Sequence, residues 1–452
     1  MGRNFLLNVA EHGFSAIGLD RDKEKITALQ EERIGKSLAA TDNPREFINA
    51  LKSPRKIMLL VPAGAVVDAV IDELKELLSP GDLIIDGGNS HFRDTDRRIV
   101  YCKEYKLRFM GVGVSGGAKG ARFGPSIMPG GDSEDYSSIA PLFESVTARV
   151  DGTPCVAYLG SGSAGNYVKM VHNGIEYGLM QILSESYSLL KDGLGYSNTA
   201  LRQTYAKWNA GRLSSYLVEI TSKIFEQQDD LGEGYLVDQI MDRAKQKGTG
   251  KWTSQDALDL GVSIPSIDSA VSMRQLSALK DLRLELSNKY PKHEMQKLQL
   301  TEADIEQAVF ASFIITYAQG LHQLARASRE YQYNLHLETV CNIWRGGCII
   351  RAELLNEFMH AFEGNTGLEN LLLDSSIQSI LKDALQGYRR VVASAIQAAL
   401  PVMTMASGLH YFDAIVNERL PMNLVQAQRD FFGAHTYERI DRAGLYHTEW
   451  EK

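Results

Sequence analysis

The uneven spread of proline constrains the fold of this 452-residue chain more than any other feature of its sequence. Eight of its twelve prolines precede residue 163, and only Pro265, Pro291, Pro401 and Pro421 follow it. Glycine divides the same way, with 19 of 39 in the first 163 residues. Proline ends helices because its ring removes an N–H donor and clashes with the preceding turn. Frequent punctuation, followed by stretches of about 110 residues without proline, reads as alternating short elements and then long helices.

The first part alternates apolar runs with helical spacing. The runs Phe14–Leu19, Ile57–Val61, Leu83–Ile85, Phe109–Val114 and Val156–Leu159 read as strands. Between them, Ala65–Leu78 carries Val66, Val67, Ala69, Val70, Leu74 and Leu77 at helical spacing. Strand–helix–strand alternation implies a parallel sheet covered by helices, with ligands at the C-terminal ends of the strands. The second part reads as all-helical. After the capping-box pattern Thr301-x-x-Asp304, Val309, Phe313, Tyr317, Leu321 and Leu324 form one apolar stripe.

Apolar residues at 44% and charged residues at 23% belong to a globular chain. A net charge of −8, without a Lys/Arg-dense tract, argues against nucleic-acid binding but leaves room for a local cationic pocket. Cys102, Cys155, Cys341 and Cys348 form neither a disulfide framework nor a zinc motif, so a reducing cytoplasm and no metal are expected. The longest charge-free stretch, Val391 to Phe412, is broken by Pro401 and reads as buried core rather than a membrane span.

The chemistry concentrates in Lys169-Met-Val-His-Asn-Gly-Ile-Glu-Tyr177. At about 100° per residue, Lys169, His172, Asn173 and Glu176 share one helix face, with Tyr177 on its flank. A base and an acid on one face suit proton transfer if partial burial moves both toward neutrality. Paired glycines in Gly113-Val-Ser115-Gly116-Gly117 and Gly124-Pro-Ser-Ile-Met-Pro-Gly-Gly131 would let backbone N–H groups approach an anion. Ile85-Asp-Gly-Gly-Asn89-Ser ends a strand with an amide. Lys247-Gly-Thr249-Gly-Lys251-Trp-Thr offers a point charge and hydroxyls to a phosphate, without the spacing of a P-loop. Arg274, Arg429 and His435 would add cationic groups, although a lone arginine is more often a surface ion pair.

Taken together, GVSGG with GPSIMPGG, KMVHNGIEYG, KGTGKWT and QAQRDFFGAHTYER, in that order along the chain, resemble the decarboxylating 6-phosphogluconate dehydrogenases, from Gly2 to Trp450. The resemblance implies three parts. Residues 1–163 would be an α/β Rossmann-type NADP-binding domain and 164–421 an all-α substrate and dimerisation domain. Residues 422–452 would be a tail reaching into the partner of a homodimer. The implied reaction oxidises 6-phosphogluconate with NADP and decarboxylates it to ribulose 5-phosphate, in the pentose phosphate pathway. By resemblance Lys169 is the base and Glu176 the acid. Asn89, Ser115, Gly116, Gly117, His172 and Asn173 would hold the carboxylate and hydroxyls. Tyr177, Lys247, Thr249 and Arg274 would hold the phosphate, with Arg429 and His435 supplied by the partner. Gly2, Asp20, Arg21, Asp22, Val61, Pro62, Ala63 and Asn89 would meet the cofactor.

The chain departs from the family pattern in two places. It starts at the last glycine of the family's GxAxxG turn, so the first strand and most of that turn are absent, which leaves a gap at the sheet centre. An internal methionine as the start would account for this. A chain complete as written reads instead as a catalytically silent substrate-binding or oligomer-forming fragment. At the second strand end stands Asp20-Arg21-Asp22, where the family has Asn-Arg-Ser/Thr. An acid there favours the ribose hydroxyls of NAD, while Arg21 suits the 2′-phosphate of NADP, the expected cofactor. Pro62 also replaces a lysine common near the cofactor.

Overall fold

A computed structural model describes residues 1–32, 37–290 and 298–451, so Pro291 lies outside the described residues. The first part contains strands β1 (Ala16–Leu19), β2 (Leu38–Thr41), β3 (Lys56–Leu59), β4 (Leu83–Asp86), β5 (Arg108–Val114) and β6 (Ile127–Gly130). The pairs β1–β2, β3–β4 and β4–β5 are parallel, and β6 runs antiparallel to β5. The sheet is therefore mixed rather than wholly parallel. Neither β2 nor β6 was legible. Ile127–Gly130 sits in a glycine-rich segment, and its Pro129 is tolerated because β6 ends the strand order. In Val156–Leu159, expected as a strand, only Val156 bridges to Ile127, so its apolar content reflects packing rather than a ladder.

The strands form two groups not hydrogen-bonded to one another, β1–β2 and β3–β4–β5–β6. They still share apolar layers. Ile17 and Leu19 pack with Ile57 and Leu59 on one face, and Ala16 with Met58 and Leu60 on the other. Between them opens a cavity of about 1520 Å³, lined by both strands and by Gly2, Phe5 and Val9 of the helix Gly2–Glu11. Alternation of Ile17, Gly18 and Leu19 across the pleat puts both groups in one layer, although the ladder is broken there.

The second part is built on two long helices, Ala164–Ser188 and Glu302–Glu330, with Ser375–Gln397 packed beside them. Thr301 and Asp304 form the expected capping box. The apolar stripe of Glu302–Glu330 is buried, but so are Phe310, Ile314 and Ala318 on its other sides. This helix is therefore the centre of the domain and not its cover. Helices Ser375–Gln397 and Met403–Ile415 meet at a break around Pro401, and no described helix is long and apolar enough to cross a membrane.

Glycine lets the helix Ala164–Ser188 lie directly on the sheet. A Cβ at Gly165 would stand 2.3 Å from the Met128 carbonyl oxygen, and one at Gly113 would stand 2.4 Å from Lys169 Cβ. Gly130 and Gly165 meet in the same way, so Gly130 serves close packing of the helix on the sheet. This contact sets Lys169 above the C-terminal end of β5.

Candidate active site

β5 ends in Val114, and Ser115 follows, 2% exposed. Gly116 then takes a left-handed conformation with φ 99°, and a Cβ there would lie 2.5 Å from the Gly347 carbonyl oxygen. Gly117 starts the helix Gly117–Phe123 at φ 64°. Both glycines are required by backbone conformation, and the turn they make presents Ser115 to the helix Ala164–Ser188.

That helix turns its polar face toward Ser115. The Lys169 amine donates to Asn173 Oδ1 at 2.9 Å and to Ser115 Oγ at 3.1 Å, and lies 3.3 Å from His172 Nδ1. His172 Nε2 lies 3.2 Å from the same serine oxygen. Glu176 is one turn further, with Oε2 3.9 Å from His172 Nδ1. Lys169, His172 and Asn173 are buried and Glu176 is part-exposed, so this is an interior polar cluster and not a solvated face.

Burial is the main force on its ionisation. It lowers the Lys169 ammonium against the opposing pull of Glu176, and it raises the Glu176 carboxyl against Lys169 and Arg274. His172 is held well below its ordinary value, first by burial and then by Lys169. His172 Nδ1 also lies 3.2 Å from Asn173 Oδ1, so the neutral ring has two places for its hydrogen, Nδ1 toward that amide oxygen or Nε2 toward Ser115 Oγ.

A cationic end adjoins the cluster. The Arg274 guanidinium stacks on Tyr177, and burial lowers it from its ordinary value. Thr249 starts the helix Thr249–Asp259 after Gly248, a glycine with φ 98°. A Cβ on Gly250 would strike the Tyr177 ring at 2.5 Å, so the KGTGKWT segment packs against that ring. Thr249 is buried and Lys247 is exposed at the rim.

The expected cofactor residues lie at strand ends. Gly2 rests against Leu60, Asp20 to Asp22 follow β1, and the exposed Pro62 and Ala63 follow β3 after Val61. Asn89 projects into solvent after β4. Arg21 pairs with Glu73 at 2.7 Å, and Lys25 lies 3.5 Å from both Asp20 and Asp22.

Arg429 and His435 are not brought to this site. They are exposed on the tail, where Arg429 donates to Gln426 and His435 rests on Phe432. The tail is folded on itself around buried Asp430, which accepts from Thr436, Thr448 and Trp450 and pairs with His447.

Residues 1–160 match the NAD binding domain of 6-phosphogluconate dehydrogenase, and residues 165–450 match the 6-phosphogluconate dehydrogenase C-terminal domain. The chain belongs to the 6-phosphogluconate dehydrogenase family. The decarboxylating 6-phosphogluconate dehydrogenase of Lactococcus lactis is 48% identical over 456 residues, covering 100% of this chain and 96% of the relative. The NADP(+)-dependent, decarboxylating 6-phosphogluconate dehydrogenase of Bacillus subtilis is 46% identical, covering 100% of this chain and 97% of the relative. The solved Plasmodium falciparum 6-phosphogluconate dehydrogenase, studied apo, with its cofactor NADP+ and with its substrate 6-phosphogluconate, superposes with a TM-score of 0.95. It is 42% identical, covering 100% of this chain and 98% of that one.

The floor of the site was not anticipated from sequence. Trp344 lies edge-on to His172, ring centres 5.6 Å apart, and Gly347 supplies the carbonyl that meets Gly116 and accepts from Ser126 N–H at 2.8 Å. The signal was the paired Gly346-Gly347, which marks a close backbone approach. Thr253, expected among the hydroxyls offered to a phosphate, is buried and donates to the Met170 carbonyl at 2.9 Å, so it braces the helix Ala164–Ser188 instead. Among the described residues no group of three or more His, Cys, Asp or Glu could hold a metal ion.

Proposed function

We propose that this chain oxidises 6-phospho-D-gluconate at C3 with NADP and decarboxylates the product to D-ribulose 5-phosphate and CO2. The observation that carries the reading is the single buried helix face on which burial lowers the Lys169 ammonium and raises the Glu176 carboxyl. Opposed shifts of this kind let one group act as base and the other as acid near neutral pH.

The strand ends fit NADP. The helix Gly2–Glu11 has no side-chain cap, so its first N–H groups are open to a phosphate. Arg21, paired with Glu73, and Lys25, between Asp20 and Asp22, are the two cations that a 2′-phosphate would take from these carboxylates. Val61, Pro62, Ala63 and Asn89 would line the rest. NADP, when bound, takes the hydride from C3.

The chain's residues handle the protons. Lys169 as the amine takes the C3 hydroxyl proton, and as the ammonium it then polarises the C3 carbonyl while CO2 leaves. Glu176 protonates C1 of the resulting enediol. Ser115, Gly116, Gly117, Asn89, His172 and Asn173 hold the carboxylate and hydroxyls. Tyr177, Lys247, Thr249 and Arg274 hold the phosphate through charge and hydroxyl donors.

The same reading divides the chain at residue 163, makes it a cytoplasmic homodimer, and sends the tail from residue 422 into the partner. Support for tail exchange comes from Arg429 and His435, exposed on a segment that also exposes Leu424, Phe431 and Phe432. The test is calorimetric titration with NADP and then 6-phosphogluconate, alongside NADPH absorbance and CO2 release. Binding of both with turnover is expected. Binding of the sugar acid without NADP and without turnover would favour the silent fragment.

A further inference from the structure

Arg98 is fully buried in the helix Phe92–Glu104, and its guanidinium uses all three nitrogens. Nε donates to Asp68 Oδ1 at 2.8 Å, and Nη2 donates to the Gly64 carbonyl at 3.0 Å. Nη1 donates to Asp86 Oδ2 at 3.3 Å and to Ser90 Oγ at 3.2 Å. Asp86, also fully buried, accepts from Ser90 Oγ at 2.6 Å and from Gly88 N–H at 3.0 Å. Asp86 to Ser90 thus forms a turn closed from below, and only Asn89 projects from it.

The two loops also abut directly. A Cβ on Gly88 would lie 3.2 Å from the Val61 carbonyl oxygen, and one on Gly87 would lie 2.5 Å from Met58 Cε. Glycine permits this approach, and Arg98 ties both loops from beneath through Gly64 and Ser90. We propose that Arg98 is a positioning residue that sets the spacing between the loop Val61–Gly64 and Asn89. It rests on the reading that these two loops hold NADP.

The chemistry requires arginine. A planar fork places three donors at fixed angles on partners from three segments, whereas the single ammonium of lysine reaches one or two of them. Arg97 reinforces the arrangement from outside by donating to both oxygens of Asp68, at 2.9 and 3.0 Å. A loop shift of about 1 Å at a reacting group is enough to cost on the order of 100-fold.

Arg98→Lys keeps the charge, and Ser90→Ala leaves Arg98 intact while removing the two hydrogen bonds of the serine hydroxyl, to Asp86 and from Arg98, so the pair separates positioning from folding. The readouts are Kd and KM for NADP, direct binding of 6-phosphogluconate without cofactor, kcat and Tm. Arg98→Lys is expected to raise Kd and KM for NADP by about tenfold or more while sugar-acid binding stays within about twofold. Ser90→Ala is expected to raise the same two values by about threefold, with Tm held to within a few degrees. A merely structural role lowers Tm and the active fraction, which scales kcat and leaves KM in place. NADP binding by Arg98→Lys at the wild-type Kd overturns the positioning role. If that variant does not fold, an unchanged NADP Kd in Ser90→Ala does so. Wild-type protein that does not bind NADP removes the reading of the loops and the proposal together.

Discussion

The Arg274 guanidinium carbon lies 3.4 Å from the centre of the Tyr177 ring. Tyr177 follows Glu176 in sequence, so this stack joins the proton-transfer face to the cationic end of the site. Arg274 also donates to the carbonyl of Lys245, two residues ahead of the KGTGKWT segment, at 3.3 Å. Arg274→Lys loses the flat stack and the forked donor set. The expected result is a rise of about 10–100-fold in KM for 6-phosphogluconate with NADP affinity unchanged, measured by initial rates and cofactor titration. An equal rise in both would show that the arginine holds the fold and not the phosphate.

Lys169→Ala removes the amine that faces Ser115 and Asn173. Turnover should fall by at least about 100-fold while 6-phosphogluconate still binds calorimetrically, because proton transfer is lost and the phosphate contacts remain. Undiminished turnover would sink the assignment.

The pH dependence has a defined shape. The forward reaction begins with Lys169 as the neutral amine, so the rate falls as pH drops below its lowered value. It needs Glu176 protonated, so the rate falls again as pH rises above its raised value. The profile of kcat/KM is expected to be bell-shaped. In Glu176→Gln the rate should drop by about 100-fold or more and the high-pH limb should vanish. A high-pH limb that survives this change would assign it to another group.

Stability carries a separate pH signature. Buried Glu185 accepts from the N–H groups of Thr404 and Met405 at the start of the helix Met403–Ile415. Burial raises its carboxyl from 4.5 to about 7, against the lowering by those two N–H groups. A carboxyl raised in the folded state stabilises fully below 4.5, and that stability is lost as pH rises to about 7. The loss is worth about 3 kcal/mol. Glu185→Gln should flatten the dependence of Tm on pH between about 4.5 and 7. An unchanged slope would place the dependence elsewhere.

Between β1 and β3 no ladder hydrogen bonds hold the sheet together. Amide exchange in Ile17–Leu19 and Ile57–Leu59 is therefore expected to run at least about tenfold faster than in β4 and β5. NADP should slow it if the strand ends hold the cofactor. Uniform protection across all strands would show that the ladder closes in solution.

The division into a strand-bearing part and a helical part was legible because proline and glycine act locally on the backbone. The Lys169–Tyr177 face was legible for the same reason, since the helical period alone brings i, i+3, i+4 and i+7 together. β6 was not legible. Its Ile127-Met-Pro-Gly130 carries the composition of a turn and becomes a strand only because β5 offers an edge. Val156–Leu159 failed in the opposite sense, since a strand-like composition met no regular partner beyond one bridge.

Residue identity and local periodicity determined which groups could act: a base, an imidazole, an amide and an acid at helical spacing. They also determined where the helices begin, as the Thr301–Asp304 box shows. Tertiary structure alone decided their ionisation. Gly113 and Gly165 admit the helix Ala164–Ser188 onto the sheet, and that approach buries Lys169 beside Ser115, a residue 54 positions earlier. Desolvation then moves Lys169 and Glu176 in opposite directions, and desolvation depends on neighbours that sequence spacing does not specify.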